Sequence, residues 1–306
     1  MNELEIIRHP QIEGLSMFFN TLDYRTPHLH KEWEITLVLE NTLAVSCGAE
    51  EYILEPGQMI IFNPNEPHEF HKLGERVTFL CLQISPKILP EIPAMHVDGK
   101  LVHEYVTAEE LETFKRDMGD CMSHYLTREN GFALHCVGKA CLLLYSLLQK
   151  LPAHILSAEE TDSIDKRNAR LKRLMRFVDE NYMHKIRLTD FAEMEGCSVS
   201  YLSRFIKNTL NQNFQEYVTS VRFNCACKLI AQGEKKLLDI CVESGFSDYR
   251  YFSKEFQKQY HMTPEEYRNH LKSEKPERSV IRHSLHSMER FYSREDSVKL
   301  VEQYFA

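Results

Sequence analysis

Along the first eighty-odd residues, apolar and polar positions alternate with a period of two. Glu34-Ile-Thr-Leu-Val-Leu39 alternates, Leu43-Ala-Val-Ser-Cys47 is rich in β-forming residues, and Gln58-Met-Ile-Ile-Phe62 follows a Pro56-Gly57 turn. Arg76 to Ile84 makes a further run. Short strands with turn signals at this spacing predict a sandwich or barrel. The period then changes. Glu104 to Leu126 predicts a helix, and from Phe132 to Leu151 apolar residues recur at i, i+3/i+4 over about five turns. That stripe either packs on the barrel or pairs with its copy in a second chain. Residues 152–166 are polar, acidic and aperiodic, which predicts a linker. Beyond them the chain is helical to about Leu271 and breaks at Ser273-Glu-Lys-Pro-Glu-Arg. A last helix is expected from Ser293, its cap, carrying Val298, Leu300, Val301, Tyr304 and Phe305.

A chain of 306 residues exceeds what one hydrophobic core usually serves, so two domains are expected. With 43% hydrophobic and 27% charged residues it is not a disordered chain. The start, Met1-Asn-Glu-Leu-Glu, is acidic where a signal peptide is basic, and no apolar run follows. The charge-free apolar stretch Ala140–Gln149 is about half of what a spanning helix needs. Both features predict a cytoplasmic protein without a membrane partner. Nine cysteines without a C-x-x-C pair predict free, mostly buried thiols in a reducing compartment.

The net charge of −8 hides an asymmetry. Residues 1–165 carry 12 Lys and Arg against 26 Asp and Glu, whereas residues 166–272 carry 19 against 13. A basic block in an acidic chain suits a part that meets polyanions. The same block contains an internal repeat. At an offset of fifty, Leu202-Ser-Arg-Phe-Ile206 lies over Phe252-Ser-Lys-Glu-Phe256, and Phe214-Gln-Glu-Tyr217 over Pro264-Glu-Glu-Tyr267. Upstream, Leu188, Phe191, Ala192 and Gly196 lie over Leu237, Ile240, Cys241 and Gly245.

Each copy has the mechanics of a helix-turn-helix. A short helix (188–195, 237–244) carries a small residue, Ala192 or Cys241, where the next helix crosses closely. Gly196 and Gly245 permit the positive φ of the turn, and Ser198 and Ser247 are placed to cap the next helix. The outward faces carry Ser200, Tyr201, Arg204 and Lys207 in one copy, and Tyr249, Arg250, Ser253 and Lys254 in the other. Such faces suit double-stranded DNA: arginine for guanine edges, hydroxyls for bases or phosphates, lysine for the backbone.

The run from Ile240-Cys-Val-Glu-Ser-Gly-Phe-Ser-Asp-Tyr to Pro264-Glu-Glu-Tyr-Arg268 resembles the signature of AraC-family transcription regulators. The likeness spans residues 170–271. It implies two helix-turn-helix units joined by a linking helix, about 214–232, reading successive major-groove segments on one face of DNA. Asn211 and His261 stand where the family usually has glycine, and both types tolerate left-handed φ. Residues 273–306 run past the family's usual end.

Pro27-His28-Leu-His30-Lys-Glu-Trp-Glu34, with Pro56-Gly57 through Pro67-His68, resembles the two motifs of a cupin barrel. In a strand, His28, His30, Glu34, Thr36 and Val38 share parity and line the interior, whereas Trp33, Ile35, Leu37 and Leu39 face a covering layer. His28, His30, Glu34 and His68 are the candidate ligand-binding residues. They are either pocket polar groups for a small-molecule effector or a divalent-metal set, and the metal question stays open. No phosphate loop, nucleophile elbow or dinucleotide fingerprint is present, so neither a catalytic residue nor a cofactor is assigned.

The expected fold class is α+β: a cupin-like barrel over 1–100, helices at 101–151 that pack on it, a linker at 152–166, an all-α double helix-turn-helix domain at 167–272, and a helical extension at 273–306. The expected function is a transcription regulator, not an enzyme, whose barrel senses a small metabolite and modulates DNA binding. Partners implied are DNA, an effector, a second copy of the chain and, for an activator, RNA polymerase. The alternatives are a cupin metalloenzyme with a helical appendage, or an interaction protein that no longer reads DNA.

Overall fold

The computed structural model describes residues 12–88, 93–233, 235–273 and 288–305. The break expected after Ser273 falls outside these residues. Among the described residues there are eight strands: β1 Leu15–His28, β2 Trp33–Cys47, β3 Glu50–Leu54, β4 Met59–Phe62, β5 His68–Ile84, β6 Met95–Val97, β7 Ala153–Ile155 and β8 Met288–Phe291. The main sheet runs β3-β2-β5-β1-β8, with β4 paired to β2, and the three long strands roll it into a barrel.

The alternation in β2 sorts side chains as its parity requires. Trp33, Ile35 and Leu37 join the core beneath the helices, while Val38 joins Phe62, Phe70 and Phe79 inside the barrel. Register shifts between Val38 and Thr42, with Asn41 at φ 60°, exchange the parity, so Leu43, Val45 and Cys47 also point inward.

Helices α1 (Ala108–Thr127) and α2 (Phe132–Lys150) cover the outer face of the sheet. Among the described residues, α2 is the one helix long and apolar enough to cross a membrane by length and composition. The shorter stretch expected above stopped at Lys139. Its Cys136, Ala140, Leu143 and Leu147 are buried in the core that α1 and the sheet share.

Residues 152–166 are not an aperiodic linker. They form β7, which pairs with β6, and the first turns of α3, Ala158–Asn181. A capping box explains the helix: Ser157 Oγ accepts from Glu160 N–H while the Glu160 carboxylate accepts from Ser157 N–H. Its first turns are solvent-exposed on most sides, so no apolar period marks them.

The helix-turn-helix units follow as α4 (Leu188–Glu195) with α5 (Val199–Leu210), and α7 (Leu237–Glu243) with α8 (Tyr249–Tyr260). Between them lies the linking helix α6, Phe214–Gln232, and α9, Pro264–Ser273, closes the second unit. Each unit has its own core. Arg222 joins them, donating from Nε to Tyr182 O (2.8 Å) and from Nη2 to His184 O (2.7 Å).

The chain then returns to the barrel. β8 pairs antiparallel with β1, and α10 (Arg294–Phe305), capped by Ser293 as expected, packs on α1. At Gly119 a Cβ would stand 2.5 Å from the Phe305 ring. Glu289 is buried on β8, accepting from Asn20 Nδ2 (2.9 Å) and facing Arg25 Nη1 (3.5 Å). Glu289→Ala leaves the buried Arg25 guanidinium without this carboxylate, a loss of about 3 kcal/mol. Urea unfolding followed by the fluorescence of the single tryptophan, Trp33, checks this, and an unchanged midpoint contradicts it.

Candidate DNA-reading face and histidine site

In the first unit Gly196 takes φ 61° and Ser198 Oγ accepts from Tyr201 N–H, as the sequence predicts. In the second, Gly245 takes φ 82° with its α-hydrogens against Tyr182 O and Met183 Cα, where a Cβ would clash at 2.5 and 2.9 Å. The expected Ser247 cap is incorrect. Asp248 caps α8, its Oδ1 accepting from Arg250 and Tyr251 N–H, because the residue inserted after the glycine moves the helix start by one. Asn211 and His261 hold left-handed φ at the ends of α5 and α8.

Ser200, Tyr201, Arg204 and Lys207 are exposed on α5; Tyr249, Arg250 and Lys254 are exposed and Ser253 half-buried on α8. Three of them are engaged locally, Arg250 by an ion pair of its Nη2 with Asp248 Oδ2 (3.7 Å). Tyr201 accepts from Arg170 Nη1 (2.7 Å), with the guanidinium 5.2 Å from its ring centroid. Lys207 Nζ donates to Asn211 O at the helix end (2.7 Å). Sequence reasoning missed Arg170 and Arg173 on α3, which clamp Glu195 at 3.2 and 2.5 Å and brace the first unit. Their only sequence signal is an i, i+3 basic pair on a helix read as partly linker.

At one end of the barrel the structure brings together all four predicted ligand residues. β1 ends at His28, β2 supplies Glu34 from its second position, His30 lies in the loop between them, and β5 begins at His68. Each histidine donates Nδ1–H to a main-chain carbonyl: His28 to Thr26 (2.9 Å), His30 to Glu32 (3.0 Å) and His68 to Glu66 (2.9 Å). The carbonyls can only accept, so the tautomer is set and each Nε2 presents a lone pair or, on an imidazolium, a second proton. The three rings offer ligand atoms within 4.8 Å of one another. His30 Nε2 lies 2.9 Å from Glu34 Oε2, and His68 Nε2 3.9 Å from Glu34 Oε1.

The carboxylate is held by Thr36, expected on the same inward face, and by Gln83, which no sequence feature singled out. Thr36 Oγ1 donates to Oε1 (3.0 Å) and Gln83 Nε2 to Oε2 (2.9 Å). Burial raises the Glu34 pKa, but the hydrogen bond and charge of His30, then the charges of His68 and Arg25, hold it well below the usual range. Burial, followed by the Arg25 charge, pushes His28 well down, and burial lowers His68 to about 4. Two neutral imidazoles and an ionised carboxylate therefore face one buried point.

The donor set fits a divalent transition metal. Among the described residues the buried Nε2 atoms of His28 and His68 make no hydrogen bond. His30, already donating from Nδ1, faces the carboxylate favourably only as an imidazolium or with a cation between them. Backbone carbonyls behind the imidazoles and side-chain donors behind the carboxylate are the outer support such ligands need. His28, His30 and His68 would hold the ion, with the Glu34 carboxylate beside His30 and His68.

Two helix-turn-helix units with exposed basic helices, joined to a barrel with a buried polar site, are the parts of a DNA-binding regulator with a ligand-binding domain. Comparison with known families agrees. Residues 9–110 match the AraC-like ligand binding domain, and residues 191–270 match a helix-turn-helix domain. The chain is similar to the uncharacterized HTH-type transcriptional regulator YbfI of Bacillus subtilis, 26% identical over 72% of this chain and 78% of the relative. The melibiose operon regulatory protein of Escherichia coli is 20% identical over 81% and 86%. The lactose operon transcription activator of Staphylococcus xylosus is 30% identical over 42% and 44%. Among solved structures, ToxT from Vibrio cholerae aligns over 86% of this chain and 100% of its own at 14% identity and TM-score 0.41. The chain belongs to the AraC family of transcription regulators.

Because His28 and His68 titrate below the free value of about 6.5, the unfolded chain takes up protons first as pH falls. Stability in chelator is predicted to decline from about pH 6.5 toward pH 4, with Glu34 adding loss lower still. Melting temperature against pH tests this. His68→Phe should flatten the slope, and an unchanged slope would refute the assignment.

Proposed function

We propose that the chain is a cytoplasmic regulator in which helices α5 and α8 read two major-groove segments and the histidine site receives the effector. The observation that carries the sensing half is the convergence of three imidazoles, two of which face the buried Glu34 carboxylate. Such acceptors recognise a cation, or a metabolite rich in hydroxyl donors held directly or through one. The names of the lactose and melibiose operon relatives support the second chemistry. These relatives are regulators, which points away from the metalloenzyme alternative. Filling the site would shift the population of chains able to hold DNA productively.

Arg204 and Arg250 are assigned to base edges and Lys254 to phosphate. Lys207 joins the phosphate set only when DNA draws it from Asn211 O. Selection of bound fragments from genomic DNA should return two segments about ten base pairs apart. Arg204→Ala should cost roughly 1–3 kcal/mol of discrimination within one segment. Lys254→Ala should weaken all sequences alike and reduce the salt slope by about 1. A selected motif unaffected by Arg204→Ala would remove that residue from base reading.

A second copy is the proposed partner of α2. Leu134, Leu142 and Tyr145 are exposed at near-helical spacing, with Gly138 open between them. The relative named as an activator supports RNA polymerase as a partner of the DNA-bound form. Leu142→Glu should give a monomer by sedimentation where the wild type gives a dimer. A monomeric wild type would overturn the pairing.

A further inference from the structure

The histidine site is closed by a part of the chain that the two-domain description assigns to DNA reading. Leu29, between His28 and His30, does not pack in the barrel. It packs against the core of the first helix-turn-helix unit, formed by α3, α4, α5 and α6. The same loop is tied to α3 through main-chain groups. His30 O accepts from Asn65 N–H (2.6 Å), and Asn65 O accepts from Asn168 Nδ2 (2.7 Å). Asn168 is buried at this joint.

The other side of the site is closed by the end of α5. Thr209 and Leu210 border the same small gap as Pro27, Ser46, Gly48, His68 and Glu69. A Cβ on Gly48 would stand 3.7 Å from Asn208 O, so the barrel rim and the helix end are in close approach. Beyond the helix, Asn211 Nδ2 donates to Glu51 Oε1 (2.9 Å) and Gln212 Nε2 to Glu69 Oε2 (3.5 Å). Glu69 also accepts from Tyr24 OH (2.5 Å).

Helix α5 has twelve residues, about 18 Å as a rigid rod. Its outward face carries Ser200, Tyr201 and Arg204, and its last turn borders the same gap as His68. A displacement of either end is delivered to the other, because a packed helix does not compress.

We propose that recognition helix α5 is the lid of the histidine site and that Leu29 is the positioning residue joining the two, so that filling the site and seating the first DNA-reading unit are one equilibrium. The linkage to filling rests on the reading that the site takes an effector. The lid itself does not. A ligand bound by His28 and His30 acts on the backbone on both sides of Leu29, whose side chain is held in the reader. The coupling is reciprocal: a reader held on DNA alters the affinity of the site by the same factor.

The test is hydrogen exchange by mass spectrometry on the full chain, stripped with chelator, with Zn2+ alone as the probe. Without metal, Leu29→Ala should speed exchange across residues 208–212 by about tenfold relative to wild type, leaving α8 unchanged. Leu29 is only partly buried, so the variant folds, which the unchanged α8 also reports. With Zn2+, exchange across 208–212 should slow by about fivefold in the wild type. Leu29→Ala should bind Zn2+ within about threefold of wild type by calorimetry yet show no such slowing. Equal exchange in the two metal-free proteins would overturn the joining role of Leu29. Zinc binding without any change at 208–212 in the wild type would overturn the linkage. Absence of zinc binding, with the metal-free difference intact, would instead refute the metal reading of the site and uphold the lid.

Discussion

A buried carboxylate needs compensation, and in this protein the surroundings of Glu34 organise much of the rest. Thr36 and Gln83 hold its oxygens from the sheet, and His30 meets it at 2.9 Å from the loop between β1 and β2. To supply His30, that loop must turn across the barrel end, and its one apolar side chain, Leu29, then faces away from the barrel. The first helix-turn-helix core takes Leu29 in. A polar requirement inside the barrel thus becomes an apolar contact with the first helix-turn-helix unit.

The reader is held to the barrel at more than this point. Lys72 of β5 lies 5.3 Å from the centroid of the Tyr260 ring at the end of α8, while Asp23 receives Lys72 (2.5 Å) and Arg76 (3.1 Å). A cleft of about 730 Å³ separates this rim from α6, α8 and α9. The chain also comes back: β8 completes the sheet on its β1 edge and α10 completes the helical cover. The barrel and its helical cover are therefore built from two separate stretches of sequence, with the helix-turn-helix units between them. Acidic barrel and basic reader complement each other in charge, in keeping with close contact that long-range repulsion would oppose.

Much of this was legible where a local rule governs. The parity of Trp33 through Val38 gave both faces of β2, because a half-buried strand alternates. The fifty-residue repeat, Gly196, Gly245 and the Ser198 cap gave the helix-turn-helix units. The site residues were found because residues 27–34 and 56–68 resemble the two motifs of a cupin barrel, although His30 lies in the loop between β1 and β2 and not in a strand. The failures have physical causes as well. Ser247 and Asp248 are both capping residues, and only the inserted residue decides between them. Helix α3 begins on a solvent-exposed surface and so lacks an apolar period. Strand β8 gains its state from β1, more than 260 residues away, and no local propensity reports such pairing. Leu29 was invisible as a contact because a lone leucine between histidines carries no periodic signal.

The central claim is that the histidine site and the DNA reader form one thermodynamic unit. The most direct measurement is a linkage cycle on the full chain with a selected DNA duplex: Zn2+ affinity with and without DNA, and DNA affinity with and without Zn2+. Both ratios are expected to depart from one by the same factor, within the roughly 5–150-fold range typical of coupled sites. Zinc that binds with an affinity indifferent to DNA would contradict the claim.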